Sequence, residues 1–279
     1  MPELPEVQAA VDFLQERLEG TSLKDISVLW HRSIATHKSP EFRKALLNAT
    51  FKRAFRRAKF IGLEFSSSIP LFLFIHLRMT GTVDVIDDFR EVEPHDRVIF
   101  TLNNGKSFRF NDVRKFGKLY LYESLDALDA RLGIEPLSEA FTPEVLFQLI
   151  SNRNRQIKPL LLDQGVIAGL GNIYVDECLW KAQIHPCTVA TKIPPEKVRM
   201  LHSAILTTLT EAIRLLGTDF GDGVVEGGMY QPVAYGRTGM PCNKCQNIIE
   251  KITVGQRGTH ICPVCQLKPR NPRTKHYKK

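Results

Sequence analysis

The chain has 279 residues, 43% hydrophobic and 24% charged, which suits two domains plus an appendage with an ordinary soluble surface. Its longest apolar run, Ile69 to Ile75, contains Pro70 and is far too short to span a bilayer. The start, Met1-Pro2-Glu3-Leu4-Pro5-Glu6, lacks the basic and apolar segments of a secretory leader, so an intracellular, cytoplasmic or nucleoid-associated protein without signal peptide is expected. The net charge of +8 is uneven: Arg237 to Lys279 holds ten Lys/Arg against the single acid Glu250, leaving 28 basic and 29 acidic residues before it. Such a patch attracts a polyanion by counterion release, although a charge run also serves as a solvated tail.

Residues 5–19 read as an amphipathic helix. Pro5 suits the first turn, Glu6 the positive end of the dipole, and Gly20 the stop, while Val7, Val11, Leu14 and Leu18 form one stripe. From about 23 to 122 the period changes to two. Phe60 to Phe65, Leu71 to Leu77 and Lys118 to Tyr122 read as strands, and Val98–Leu102 and Lys106–Phe110 flank the hairpin signal Asn103-Asn104-Gly105. Many short strands separated by turn residues imply a sandwich or barrel. After a connecting stretch with Pro136 and Ser138, Thr142-Pro143-Glu144 opens a helical region, with helices expected over 143–151, 157–163, 172–182 and 195–216. The turn 165–172 carries three glycines and leads into a helix N-terminus, a ready anion site. Residues 217–236, with six glycines and no period, read as a flexible loop.

Four of the six cysteines fall as Cys242-x2-Cys245-x16-Cys262-x2-Cys265. Each C-x2-C turn converges two sulfurs on one ion, and a hairpin between the turns brings the pairs together. A closed, structural zinc site is expected, because an intracellular chain disfavours disulfides and two paired motifs disfavour a single redox pair. Metal binding worth about 10–16 kcal/mol can fold so short a segment without a core. Cys178 and Cys187 have no partner pattern and read as packing residues.

Other features carry chemistry. Trimming of Met1 leaves Pro2 with a free secondary amine, whose α-amino pKa of about 7.7–8.0 leaves it partly neutral and able to attack an electrophilic carbon. Glu3 beside it can act as acid or base, though the same hexapeptide also fits a plain helix start. Phe51 to Phe60 interleaves five cations with aromatics, suiting phosphate contact and stacking or a solvated strand face. His76-Leu77-Arg78-Met79-Thr80-Gly81 and Asp112-Val113-Arg114-Lys115-Phe116-Gly117 place a Met and an Arg/Phe pair where they could wedge into a base stack or pack in a core.

Taken together and in order, Pro2-Glu3-Leu4-Pro5-Glu6-Val7, Arg57-Ala58-Lys59, the His76/Met79/Gly81 segment, Arg114-x-Phe116-Gly117, Gly171-Asn172-Ile173-Tyr174 and the terminal cysteine finger resemble the formamidopyrimidine-DNA glycosylase family of base-excision repair enzymes. The resemblance covers the whole chain, and the Leu-Pro-Glu-Val start is similar to the branch acting on oxidised purines. It implies an α+β fold in three parts: an N-terminal catalytic β-sandwich with flanking helices over 1–135, a helical helix–two-turn–helix DNA-binding domain over 136–235, and a β-hairpin zinc finger with a basic tail over 236–279. It also implies roles. Pro2 is the nucleophile at C1′ of the damaged nucleotide, and Glu3 assists base departure and sugar opening. Lys59 serves the first elimination, and Arg257 the second together with a phosphate beside the lesion. His76, His95, Arg114, Arg155, Lys158 and Asn172 contact DNA, and Met79, Arg114 and Phe116 fill the gap left by the flipped base. One structural zinc ion, a duplex carrying oxidised bases or abasic sites, no membrane and a monomer complete the expectation.

Two departures stand out. Where the family places a basic contact before Ile157-Lys158, this chain has Asn154 between Arg153 and Arg155; either one arginine substitutes or a phosphate contact is lost. The 217–236 loop is shorter than in well-known members, which leaves lesion preference open. Two other readings remain: an endonuclease VIII-like glycosylase for oxidised pyrimidines, and a non-catalytic zinc-dependent protein that binds damaged DNA.

Overall fold

The computed structural model describes residues 1–87, 90–219 and 227–269. They form two compact units: Met1–Glu135 with Ile167–Leu170 and Leu209–Gln231, and Pro136–Val166 with Gly171–Thr208 and Pro232–Lys279. The units are therefore discontinuous, since two segments of the 136–235 stretch cluster with the N-terminal part.

The first unit opens with α1 (Leu4–Leu18), whose stripe Val7, Val11, Leu14 and Leu18 is buried as its spacing requires. There follow β1 (Leu23–Val28), α2 (Ser39–Leu46), β2 (Thr50–Arg57), β3 (Phe60–Ser66), β4 (Pro70–His76), β5 (Gly81–Asp87), β6 (Asp96–Leu102), β7 (Lys106–Asp112), β8 (Lys118–Tyr122) and the short α3 (Asp126–Asp129). The strands make two four-stranded antiparallel sheets, ordered β1-β6-β7-β5 and β2-β3-β4-β8. Alternate residues such as Ile61, Leu63 and Phe65 on β3, Leu71, Leu73 and Ile75 on β4, and Phe108 and Phe110 on β7 share one core with the α1 stripe. This is the expected sandwich. On the other face of the second sheet Phe55, Phe60, Phe72, Phe74, Tyr120 and Tyr122 pack edge-on, tilted or stacked, with centroids 5.7 to 6.5 Å apart.

The second unit holds α4 (Pro143–Ser151), α5 (Ile157–Leu161), α6 (Asn172–Lys181), the Pro195–Thr208 part of α7 (Pro195–Arg214), and a hairpin of β9 (Glu250–Val254) and β10 (Arg257–Ile261). Thr142 caps α4 by accepting Val145 N–H at 3.3 Å, and Pro143 fills the first turn. Among the described residues no helix is long and apolar enough to cross a membrane.

The 217–236 stretch departs from a wholly flexible loop at both ends. Thr218 pairs with Met229, and Tyr230, which is buried, donates its N–H to Gly217 O at 2.9 Å. Further on, Val233, Ala234 and Tyr235 each donate a backbone N–H to the Glu177 carboxylate at 2.8 Å. Burial pushes the Glu177 carboxyl up, and the three donors oppose that shift. Residues 220–226, and the basic extension from 270 on, lie outside the described residues.

Candidate active site and metal centre

Within the first unit the chain start is enclosed. Pro2 and Glu3 are buried, Glu3 at 2% exposure, while Met1 reaches solvent. Glu3 N–H donates to Glu6 Oε2 at 2.8 Å, and Glu6 Oε1 accepts Thr218 N–H at 2.9 Å. One carboxylate thus ties the first turn of α1 to the foot of the glycine-rich loop. Gly217 makes this approach possible: at φ +79° it lies so close to Glu6 that a Cβ would come within 2.5 Å of the carboxylate oxygen. Gly169, at φ +89°, does the same for Leu4, whose N–H donates to Gly169 O at 3.2 Å.

Lys59 follows Ala58, which holds a left-handed φ of +53° in the β2–β3 turn. Glu135 fixes that turn by accepting from Arg56 Nη1 at 2.7 Å, Arg57 Nη1 at 2.9 Å and the Ala58 N–H. Asp129 takes Arg57 Nε at 2.6 Å. Arg53 Nε also pairs with Glu64 Oε2 at 2.6 Å, so at least three of the five cations in this basic run make ion pairs within the fold, and Lys59 itself is 6% exposed.

His76 ends β4, edge-on to Phe60 at 4.7 Å. Burial, then the positive charges of Arg78 and Lys59, bring its pKa down to about 3. Nδ1 accepts Arg78 N–H at 3.1 Å, so the neutral ring carries its proton on Nε2, a donor suited to a phosphate. Because the imidazole is more basic in the unfolded chain, its contribution to stability is complete above about pH 6.5 and is lost as pH falls toward 3. His76→Gln is expected to lose less stability than the parent between pH 7 and 4. Parallel acid limbs in urea melts would show that His76 does not titrate on unfolding.

The structure brings together the three residues expected at the base stack. Met79 and Phe116 are 43% and 49% exposed, Arg114 Nη1 lies 3.1 Å from Met79 Sδ, and the guanidinium sits 4.8 Å from the Phe116 ring centroid. Asp112, which is fully buried, organises them by accepting from Arg114 N, Gly117 N and Thr80 Oγ1. His95 is exposed, 3.3 Å from Arg97 Nη2 at its Nδ1.

In the second unit the four thiols are free, and their Sγ atoms all lie within 4.8 Å of one another. The Cys242–Cys265 and Cys245–Cys262 separations are 3.9 and 3.4 Å. A tetrahedral ion with Zn–S bonds of about 2.3 Å requires sulfurs about 3.8 Å apart, so the residues fit one structural zinc. Burial would push the Cys242 thiol up, but N–H donors from Lys244, Cys245 and the Trp180 indole hold it down to about 6.

Arg257 is exposed at the start of β10. Arg155 is half-exposed and pairs with Asp163 at 2.9 Å. Lys158 departs from the expectation of a direct DNA contact. It has no exposed surface, and its ammonium meets Asp176 Oδ1 at 2.6 Å and Gly258 O at 3.2 Å. Asn172 Nδ2 donates to the same Gly258 carbonyl at 3.0 Å, and Asp176 Oδ2 accepts His260 N–H at 2.8 Å. Glu6, Asp112, Glu135, Asp176 and Glu177 were not singled out as organising groups; their only sequence signal is acidity beside basic, DNA-like motifs.

Comparison with known proteins matches residues 1–119 to the formamidopyrimidine-DNA glycosylase N-terminal domain, 132–221 to the formamidopyrimidine-DNA glycosylase H2TH domain, and 239–267 to a zinc finger found in FPG and IleRS. Formamidopyrimidine-DNA glycosylases of Cytobacillus firmus and Brevibacillus brevis are 41% and 42% identical, over 96% and 95% of this chain and 100% and 99% of theirs. Among solved structures, the Lactococcus lactis enzyme bound to DNA containing N7-benzyl-Fapy-dG superimposes with a TM-score of 0.90 at 34% identity, covering 96% of this chain and all of that one. Its complex with abasic-site DNA gives 0.89 at 33% over the same shares.

Proposed function

Since the chain belongs to the formamidopyrimidine-DNA glycosylase family, we propose that it excises oxidised purines such as formamidopyrimidines and 8-oxoguanine from duplex DNA and then cleaves the abasic site. The buried Pro2-Glu3 start carries this reading, supported by the enclosed Lys59 of the same unit and by relatives bearing that name at about 40% identity. After removal of Met1, the Pro2 nitrogen attacks C1′ while Glu3 assists departure of the base and opening of the sugar. The resulting iminium acidifies the C2′ proton. Lys59 assists the first elimination, which breaks the strand 3′ to the lesion, and Arg257 the second, which breaks it 5′. His76, His95, Arg114, Arg155 and Asn172 are proposed to hold the backbone, and Met79, Arg114 and Phe116 to enter the gap in the stack. Lys158 is proposed to act indirectly, through the hairpin strand it holds. The zinc ion supplies no chemistry to these steps; Cys242, Cys245, Cys262 and Cys265 hold it to shape the hairpin that carries Arg257.

Borohydride added during turnover is expected to trap a covalent adduct on Pro2, located by peptide mass spectrometry. Absence of an adduct with the wild-type chain on lesion and abasic duplexes would favour a binding-only protein. The panel includes an oxidised pyrimidine, because a Lactococcus lactis Fpg complex with DNA containing one is among the structural matches. Faster excision of that lesion than of 8-oxoguanine would move the assignment to pyrimidine damage.

A further inference from the structure

Helix α6 meets the finger along a single face. Asn172, Asp176 and Trp180 are spaced by four residues, so they lie one above another on successive turns. Asn172 holds Gly258 O and Asp176 holds His260 N–H, both on β10. One turn on, the Trp180 indole Nε1–H donates to Cys242 Sγ at 3.4 Å. Trp180 is 5% exposed and packs in one cluster with Cys242, Ile249, Cys262 and Ala234. The first cysteine turn grips the same helix end: Lys244 Nζ lies 4.5 Å from the Trp180 ring centroid and donates to Lys181 O at 3.0 Å, satisfying a carbonyl of the last turn.

We propose that Trp180 is an outer-shell partner of the zinc centre, whose indole N–H orients and stabilises the Cys242 thiolate and makes α6 the strut between the metal and the hairpin strand. An indole N–H is donor-only, so when buried it needs an acceptor, and here that acceptor is a metal-ligand sulfur. A hydrogen bond to a ligating thiolate withdraws density from sulfur and fixes its direction; loss of such a partner typically lowers metal affinity by about 10–100-fold. The proposal concerns the metal site alone and does not depend on the catalytic roles of Pro2 or Arg257.

The test is Trp180→Phe in the full chain, which keeps most of the ring and removes the donor. Zinc transfer to a chromophoric chelator is expected to be at least about 10-fold faster, and in the cobalt-substituted protein the sulfur-to-cobalt charge-transfer band should move to longer wavelength. Unchanged transfer and an unchanged band would overturn the proposal, because loss of packing alone does not retune a thiolate. Should the variant fail to fold, Trp30→Phe leaves Trp180 as the sole tryptophan of the two. Its emission is then expected to shift on zinc removal and to be quenched by cobalt. Emission indifferent to both changes overturns the proposal as well.

Discussion

Glu3→Gln is expected to slow release of the damaged base about 10²- to 10⁴-fold, the range for loss of a positioned acid or base. The substitution preserves shape, and the backbone N–H that Glu3 gives to Glu6 is untouched, so the first turn of α1 should persist. What disappears is a carboxyl at 2% exposure, where a proton cannot be supplied readily by bulk water. The Pro2 amine remains, so borohydride should still trap the variant on a duplex with a pre-formed abasic site. Single-turnover excision compared with abasic trapping separates the two functions. Equal excision by variant and parent would remove Glu3 from the mechanism; loss of both activities would mean that the substitution had disturbed the enclosure of Pro2.

Asp176→Ala is expected to produce the largest loss of stability, about 3–5 kcal/mol, because it leaves a buried ammonium without its counter-charge. Lys158 and Asp176 both have side chains at 0% exposure, 2.6 Å apart, and the same carboxylate accepts the His260 N–H. The double replacement Lys158→Met with Asp176→Leu removes both charges and should recover much of the loss. Urea unfolding followed by zinc release reports on this unit. If the single variant melts within 1 kcal/mol of the parent, the pair is not the buried link described here.

Much of the fold was legible because local chemistry decided it. Pro5 and Glu6 start α1, Asn103-Asn104-Gly105 turns β6 into β7, and Thr142-Pro143 starts α4. Helix α2 escaped notice although Ser39-Pro40-Glu41 repeats that start pattern, since only Phe42 and Leu46 of its eight residues are buried hydrophobics and so weak a stripe has little period. The cysteine site was legible because C-x2-C spacing is local, and the sulfurs converge as that spacing requires. The organising carboxylates were not, because their partners are remote: Asp176 is 84 residues from His260 and Glu177 is 57 from Ala234. Lys158, which the family resemblance places among the DNA contacts, has no exposed surface, and that burial follows from tertiary packing that no local pattern signals.

The reach of Glu6 to Thr218 spans 212 residues. During synthesis the sandwich strands can all pair once residue 122 has emerged, yet Glu6 lacks the Thr218 N–H that it accepts until α7 and the residues just after it have left the ribosome. The first residues made are thus among the last to gain their full set of partners.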